Sequence, residues 1–401
     1  MLSRFFRRKP ARPADPRELF VGEVEGFLRS EAGVTTVQRV PELFALDVTG
    51  PQGGPRRLFL DNVFAETREL SPEGRRAKLA RHFSGLVVDV SEQSWDDARG
   101  MLVLALRGAT YGIEALAQAP DAAIVRRPFV PFVDAVVAVD QPVTMDFVSK
   151  ASLRRWGIDA EALFAAAEAR LPLLANPKVE LYDGTDGPLF EVASDDSYET
   201  SRLLVPGWLD GFRGEVEGNP VAIIPERATL MVGGDARPEL VARLLDKAQR
   251  EFSSSSRSIS PCVYGLDPAG VVAPLLQGPT EELRAGLALA SLQLASFEYG
   301  TQKRALDAAH AQAGTDIFVA SYQVFRNRDT GVLRSLSVWT EGVVTWLPET
   351  ECVALVQPGS DTHSRPRSMR EVAFESIRDR LSPVPDAHPA RWETTGAFPV
   401  A

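Results

Sequence analysis

Cysteine is nearly missing from this 401-residue sequence: Cys262 and Cys352 stand 90 residues apart in unrelated contexts. A disulfide framework needs paired cysteines and a zinc cluster needs neighbouring ones, so neither organises this chain, and a reducing cytoplasm is the expected setting. Histidine is almost as scarce, with only His82, His310, His363 and His388. Nucleophilic catalysis usually pairs a Ser, Cys or Thr with a histidine base, and four scattered imidazoles supply few such pairs. There is no G-x-S-x-G elbow and no H-E-x-x-H pair. Positive charge is also short. A formal net charge of −10 and a pI near 5.2 oppose a phosphate backbone or an anionic bilayer as the main partner. Only six of the 44 basic residues are lysine, which reads as a composition bias. No apolar run approaches the roughly 18–20 residues needed to span a membrane. The opening stretch Met1 to Lys9 is basic and aromatic but has no apolar h-region, and Pro10, Pro13 and Pro16 interrupt any helix there. Residues 1–15 therefore read as a flexible basic tail, with surface contact as a minor possibility.

What is present is enough apolar material for a core. Hydrophobic residues make up 44% of the chain, and its length predicts two or three domains. Residues 16–126 read as a first α+β module. Leu19, Phe20, Val24 and Leu28 share a helical face, and two short strands, Phe44 to Val48 and Arg57 to Leu60, flank a Gly- and Pro-rich turn. Ser71-Pro72 starts another helix through Leu79 and Phe83. Met101 to Leu106 fits a buried strand or a helix, and periodicity alone does not decide between them. Residues 127–277 read as a second module: a strand from Phe132 to Val139, a helix capped by Asp159, and a hairpin around Asp183 to Gly187. The chain continues with a capped helix from Asp196, a hairpin of Val221 to Ile224 with Thr229 to Val232, and a helix from Pro238 to Phe252. Residues 278–380 read as a helix from Thr280 towards Ala313 followed by an antiparallel meander, and residues 381–401, rich in proline, as a loosely ordered tail.

The segment Asp196-Ser197-Tyr198-Glu199-Thr200-Ser201-Arg202-Leu203-Leu204, with Trp156-Gly157-Ile158 and the hairpin of Gly218 to Asp235 around it, resembles the bacterial YtpQ-like family, a group with no assigned function. The likeness spans roughly residues 17–276 and leaves an extra C-terminal module. The sequence departs from the family in carrying Arg170 where an Asn commonly precedes the Leu. The resemblance implies a cytosolic α+β protein, and it transfers no catalytic residues because none are established for the family.

Each candidate site has a plain structural explanation beside it. Cys262 reads as a small buried hydrophobe, since no positive neighbour lowers its pKa, and Cys352 beside Glu351 is no better placed. Asp183-Gly184-Thr185-Asp186-Gly187 offers two carboxylates but lacks the further acids of a calcium loop, so it reads as a turn. Gly233-Gly234-Asp235 lies where a strand meets a helix, yet it has no Lys and Asp235 repels phosphate. Asp196 and Glu199 read as caps. Tyr198 and Arg202, one turn apart, form a donor pair that suits a partner's carboxylate. Trp339 and Trp346 fit either the core or a recognition patch, with core the expected place.

The expected fold is α+β, with amphipathic helices packed on one face of mainly antiparallel sheets. The expected function is a non-catalytic protein-binding or adaptor module using Tyr198 and Arg202. It has no metal, no cofactor and no nucleic-acid partner. The alternative is a hydrolase of unfamiliar type using Asp and Glu carboxylates.

Overall fold

A computed structural model describes residues 15–30, 34–40, 44–49, 55–83, 93–113, 120–141, 145–184, 187–194, 198–327, 331–359 and 367–398. The chain is an α+β protein with helices set against several mainly antiparallel sheets. It divides into two compact units, residues 1–98 with 141–145, and residues 99–140 with 146–401.

In the smaller unit, the helix Pro16–Ser30 turns Phe20, Val21, Val24 and Leu28 inward, the i, i+4, i+8 stripe read from the sequence. They meet Leu46 and Val48 from a three-stranded antiparallel sheet, and Leu60, Val63, Leu79 and Phe83 from the following helices. The sheet consists of Thr36–Val40, Ala45–Thr49 and Pro55–Phe59 in that order. Its first strand escaped the sequence reading because Gln38 and Arg39 break the apolar pattern. Arg39 instead crosses to the helix and makes a two-pronged contact with Glu25, at 3.0 and 2.7 Å. The turn between the second and third strands lies outside the described residues.

The larger unit begins with a strand, Leu102–Gly108, which resolves the ambiguity at Met101 to Leu106. It pairs antiparallel with Val133–Asp140, whose residues from Val133 to Val139 are all buried. Arg126–Val130 and Met145–Phe147 also pair with Val133–Asp140. The expected boundary at 126/127 therefore runs through one sheet, and the division falls near residue 98. A six-stranded antiparallel sheet follows, in the order Val272–Pro274, Val263–Leu266, Pro220–Ile223, Met231–Gly234, Gly187–Val192 and Val179–Gly184. The helix Pro238–Ser254 packs across three of its strands, burying Leu240, Val241, Leu244, Leu245 and Ala248. The helix Glu281–Ala313 lies beside that helix and buries Leu283, Leu287, Ala290 and Leu294.

The caps read from the sequence are made. Asp159 accepts a hydrogen bond from the Ala162 N–H at 2.8 Å, and Thr280 accepts one from Leu283 at 3.2 Å. Asp159→Ala should cost about 1 kcal/mol in urea denaturation, and Asp159→Ser should recover most of it.

The C-terminal region differs from the expected meander. Phe318–Val319 and Gln323–Arg326 belong to different sheets. One sheet has the order Gln323–Arg326, Leu333–Thr340, Cys352–Gln357, Ser368–Ala373, with its middle pair parallel. The other has the order Phe318–Val319, Thr345–Pro348, Arg391–Glu393, Ser382–Pro383, with its first pair parallel. Residues 382–393, expected to be a loose tail, complete this second sheet, and Arg391 among them is fully buried. Trp339 is core at 1% exposure, whereas Trp346 is half-buried and donates from its indole to Glu393 at 2.7 Å. Among the described residues, no helix is long and apolar enough to cross a membrane.

Candidate functional site

Tyr198 and Arg202 lie in the larger unit and are buried, at 5% and 2% exposure. The expected α-helix is here a short 3-10 segment, Thr200–Leu204, with Glu199 at its N-cap position making no side-chain cap. Asp195, Asp196 and Ser197 lie outside the described residues, so the capping acid read from the sequence does too. Three residues per turn and a packed position leave neither Tyr198 nor Arg202 at the open surface. A partner's carboxylate reaches them only if this segment opens, or by way of whatever borders them.

Arg107 is what borders them. The segment Thr200–Leu204 packs against the strand Leu102–Gly108, and Tyr198 lies close enough to act electrostatically on Arg107. The Arg107 guanidinium is half-buried, 5.4 Å from the centre of the Tyr111 ring and 5.2 Å from that of Phe147. Those two rings meet edge to face at 5.2 Å. One guanidinium nitrogen donates to the Leu106 carbonyl at 2.7 Å. Among the described residues, Arg107 forms no ion pair with a carboxylate. Burial pulls its pKa below the ordinary arginine value, and the positive charge of Arg257 pulls the same way, while Tyr111 and Tyr198 oppose it. Two cations and two phenols thus converge on one place. Such a setting gains most from an anion, because a charge-assisted contact is strongest where the cation is already partly stripped of water.

A second cluster lies on the other side of the same turn. Glu298, on the helix Glu281–Ala313, accepts from the Thr110 N–H at 2.7 Å and from the Thr110 hydroxyl at 2.6 Å. Gly108 makes room for it, since a Cβ there would stand 2.3 Å from Glu298 Oε1. Burial raises the Glu298 carboxyl to a pKa of about 7, with the Asp134 charge adding to the rise and the Thr110 bonds and Arg126 opposing it. Asp134, 1% exposed, accepts from Arg126 at 3.3 Å and lies 2.7 Å from His388 Nε2. Arg126 also holds the turn itself, bonding the carbonyls of Ala109 and Tyr111. One turn, residues 109–111, therefore carries a partner of Glu298 and a ring that stacks with Arg107.

The remaining sequence candidates have structural roles. Cys262 is 4% exposed, with its thiol pKa raised by burial, and Cys352 is 7% exposed and likewise raised. Gly234 permits close backbone approach, because a Cβ would meet the Glu217 carbonyl oxygen at 2.1 Å. Asp235 is occupied by the Asn219 N–H at 2.7 Å and side-chain amide at 3.0 Å. Gly184 and Gly187 pair across a hairpin whose tip lies outside the described residues. Among the described residues, no group of three or more His, Cys, Asp or Glu side chains is placed to hold a metal ion. His82 is exposed, and His310 is half-buried against Trp346 with Nδ1 3.3 Å from the Ile317 carbonyl oxygen. His363 lies outside the described residues. His388 is the histidine that sequence reading undervalued. It is 37% exposed at its side chain, yet faces a buried carboxylate 254 residues upstream.

Neither cluster announced itself in the sequence, because Arg107, Asp134, Glu298 and His388 come from distant segments with no shared spacing. Gly108, a glycine ending an apolar strand, is the one local sign of a close approach. In comparisons with known proteins, no family model, no curated protein and no solved structure matches the chain.

Proposed function

We propose that this chain is a non-catalytic, cytoplasmic protein-binding module that takes up an acidic side chain of its partner at Arg107. The observation that carries this reading is the Arg107 guanidinium itself, held between the Tyr111 and Phe147 rings with Arg257 facing it and no carboxylate paired to it among the described residues. Tyr198 and Arg202 then serve as the wall of the site, and Tyr111, 38% exposed, as its rim. The resemblance to the YtpQ-like family over roughly residues 17–276 agrees with this reading, since it brings no catalytic set with it.

The test substitutes Arg107→Met, which keeps a long stem against the two rings and removes the charge. Immobilised wild-type and R107M protein would be offered the same extract from the source cells, and bound partners quantified by mass spectrometry. The expected result is a stoichiometric partner whose capture falls about tenfold or more in R107M, at an unchanged melting temperature. Equal capture by both proteins overturns the assignment of the site.

A second reading, a hydrolase working through Asp and Glu, is favoured by the 2.7 Å contact of His388 with Asp134. A carboxylate behind a histidine is the arrangement that orients a general base. It ranks second because Asp134 and Glu298 are both buried and already hydrogen-bonded. Turnover in a hydrolase substrate screen that disappears in D134N would promote it.

A further inference from the structure

We propose that Asp134, Glu298 and His388 form a proton-dependent clasp that fastens the segment Ser382–Glu393 to the rest of its unit and slackens as the solution becomes alkaline. The geometry supplies both halves of the clasp. From the long helix, the Tyr299 hydroxyl donates to the Ala390 carbonyl at 3.1 Å, and the Gln302 amide donates to the Pro389 carbonyl at 2.6 Å. Arg391 returns a bond to Gln302 at 2.6 Å. From the strand Val133–Asp140, Asp134 meets His388 at 2.7 Å. Glu298 lies one helical turn before Gln302, so both side chains project from the same face of the helix. The residues that hold the segment are thus neighbours of the carboxyl that titrates.

The charged and titratable groups facing Glu298 are Asp134 and Arg126 from the two strands, with Thr110 bonding it from the turn. Those around the segment are Asp134 opposite His388, Tyr299 beside Arg391, and Lys150, which meets Asp386 at 3.5 Å in solvent. While Glu298 keeps its proton, the buried site holds one carboxylate, Asp134, with Arg126 and a protonated His388 to balance it. Raising the pH adds a second negative charge beside Asp134. Over the same range an imidazolium gives up its charge, and the His388–Asp134 contact is an ion pair only while His388 is protonated. Both changes act against closure. Opening lets Glu298 ionise in water, so the open form gains as pH rises through neutrality.

Amide hydrogen exchange on the intact protein tests this without any variant. After correction for intrinsic rates, the opening constant of amides in residues 384–394 should be about tenfold larger at about pH 8.5 than at about pH 6, given a carboxyl titrating near 7 when closed and near its ordinary value when open. Amides of the helix Pro238–Ser254 serve as the internal reference. Glu298→Gln, which cannot ionise, should abolish the difference. Equal opening constants in the wild type at both pH values overturn the proposal, as does an undiminished difference in E298Q. Neither readout involves a partner, so failure here leaves the assignment of Arg107 untouched.

Discussion

Arg391→Leu should destabilise the larger unit by about 3–5 kcal/mol in urea denaturation, a large share of what a typical domain possesses. Arg391 is 0% exposed and hydrogen-bonds throughout its guanidinium: to Gln302 Oε1 at 2.6 Å, to the carbonyls of Ala320 and Trp346 at 2.9 and 3.0 Å, and to the Tyr299 carbonyl at 3.2 Å. The Tyr299 ring lies 5.3 Å from the guanidinium carbon. Burial draws the arginine pKa down to about 10, so the charge is uncomfortable where it sits, yet its hydrogen bonds satisfy three carbonyls from three different segments. An isosteric apolar side chain relieves the first problem and creates the second. Stranded buried acceptors cost about 1–3 kcal/mol each, reduced where neighbours shift. Arg391→Lys should fall between, because an ammonium keeps the charge but cannot reach all four oxygens from one plane. A loss below about 1 kcal/mol for the leucine variant would mean that water takes over these carbonyls.

Glu298→Gln should stabilise the protein by about 3 kcal/mol at about pH 8.5 and leave it unchanged near pH 4. The Glu298 pKa is about 7 in the folded chain, against an ordinary value of 4.5. Below the ordinary value both states are protonated and the group contributes nothing. Between the two values the unfolded chain has released its proton and the folded chain has not, so stability falls as pH rises. Above about 7 the loss is complete and constant. The glutamine carbonyl can accept from Thr110 as the carboxyl does, and it removes only the titration. Parallel denaturation series for wild type and variant should therefore coincide in acid and separate through neutrality. Series that stay parallel at all pH values would show that Glu298 titrates normally.

Local grammar in this sequence translated into structure where one segment decided the outcome alone. The acceptor at Asp159, the Thr280 start and the apolar stripe Leu283, Leu287, Ala290, Leu294 needed nothing beyond their own neighbourhood. The hairpin of Pro220–Ile223 with Met231–Gly234 is of the same kind. Parallel pairings were hidden, because Leu333–Thr340 joins Cys352–Gln357 by skipping a strand that belongs to another sheet. Tyr198 and Arg202 were picked for spacing along a helix that the chain does not form, although the place they occupy does border Arg107. The residues after Leu381 looked loose because proline breaks every period. Their order comes from Tyr299, Gln302 and Asp134, which no local pattern could anticipate.

The 254 residues between Asp134 and His388 also set a schedule for synthesis. A ribosome emits the carboxylate long before it emits the imidazole, and the helix bearing Gln302 likewise waits for Pro389. Closing so wide a loop is slow relative to forming the hairpins within it. During that interval Asp134 and Gln302 remain wetted and the second C-terminal sheet lacks its Arg391–Glu393 strand, so a nascent chain stalled before residue 382 would offer chaperones an open sheet margin.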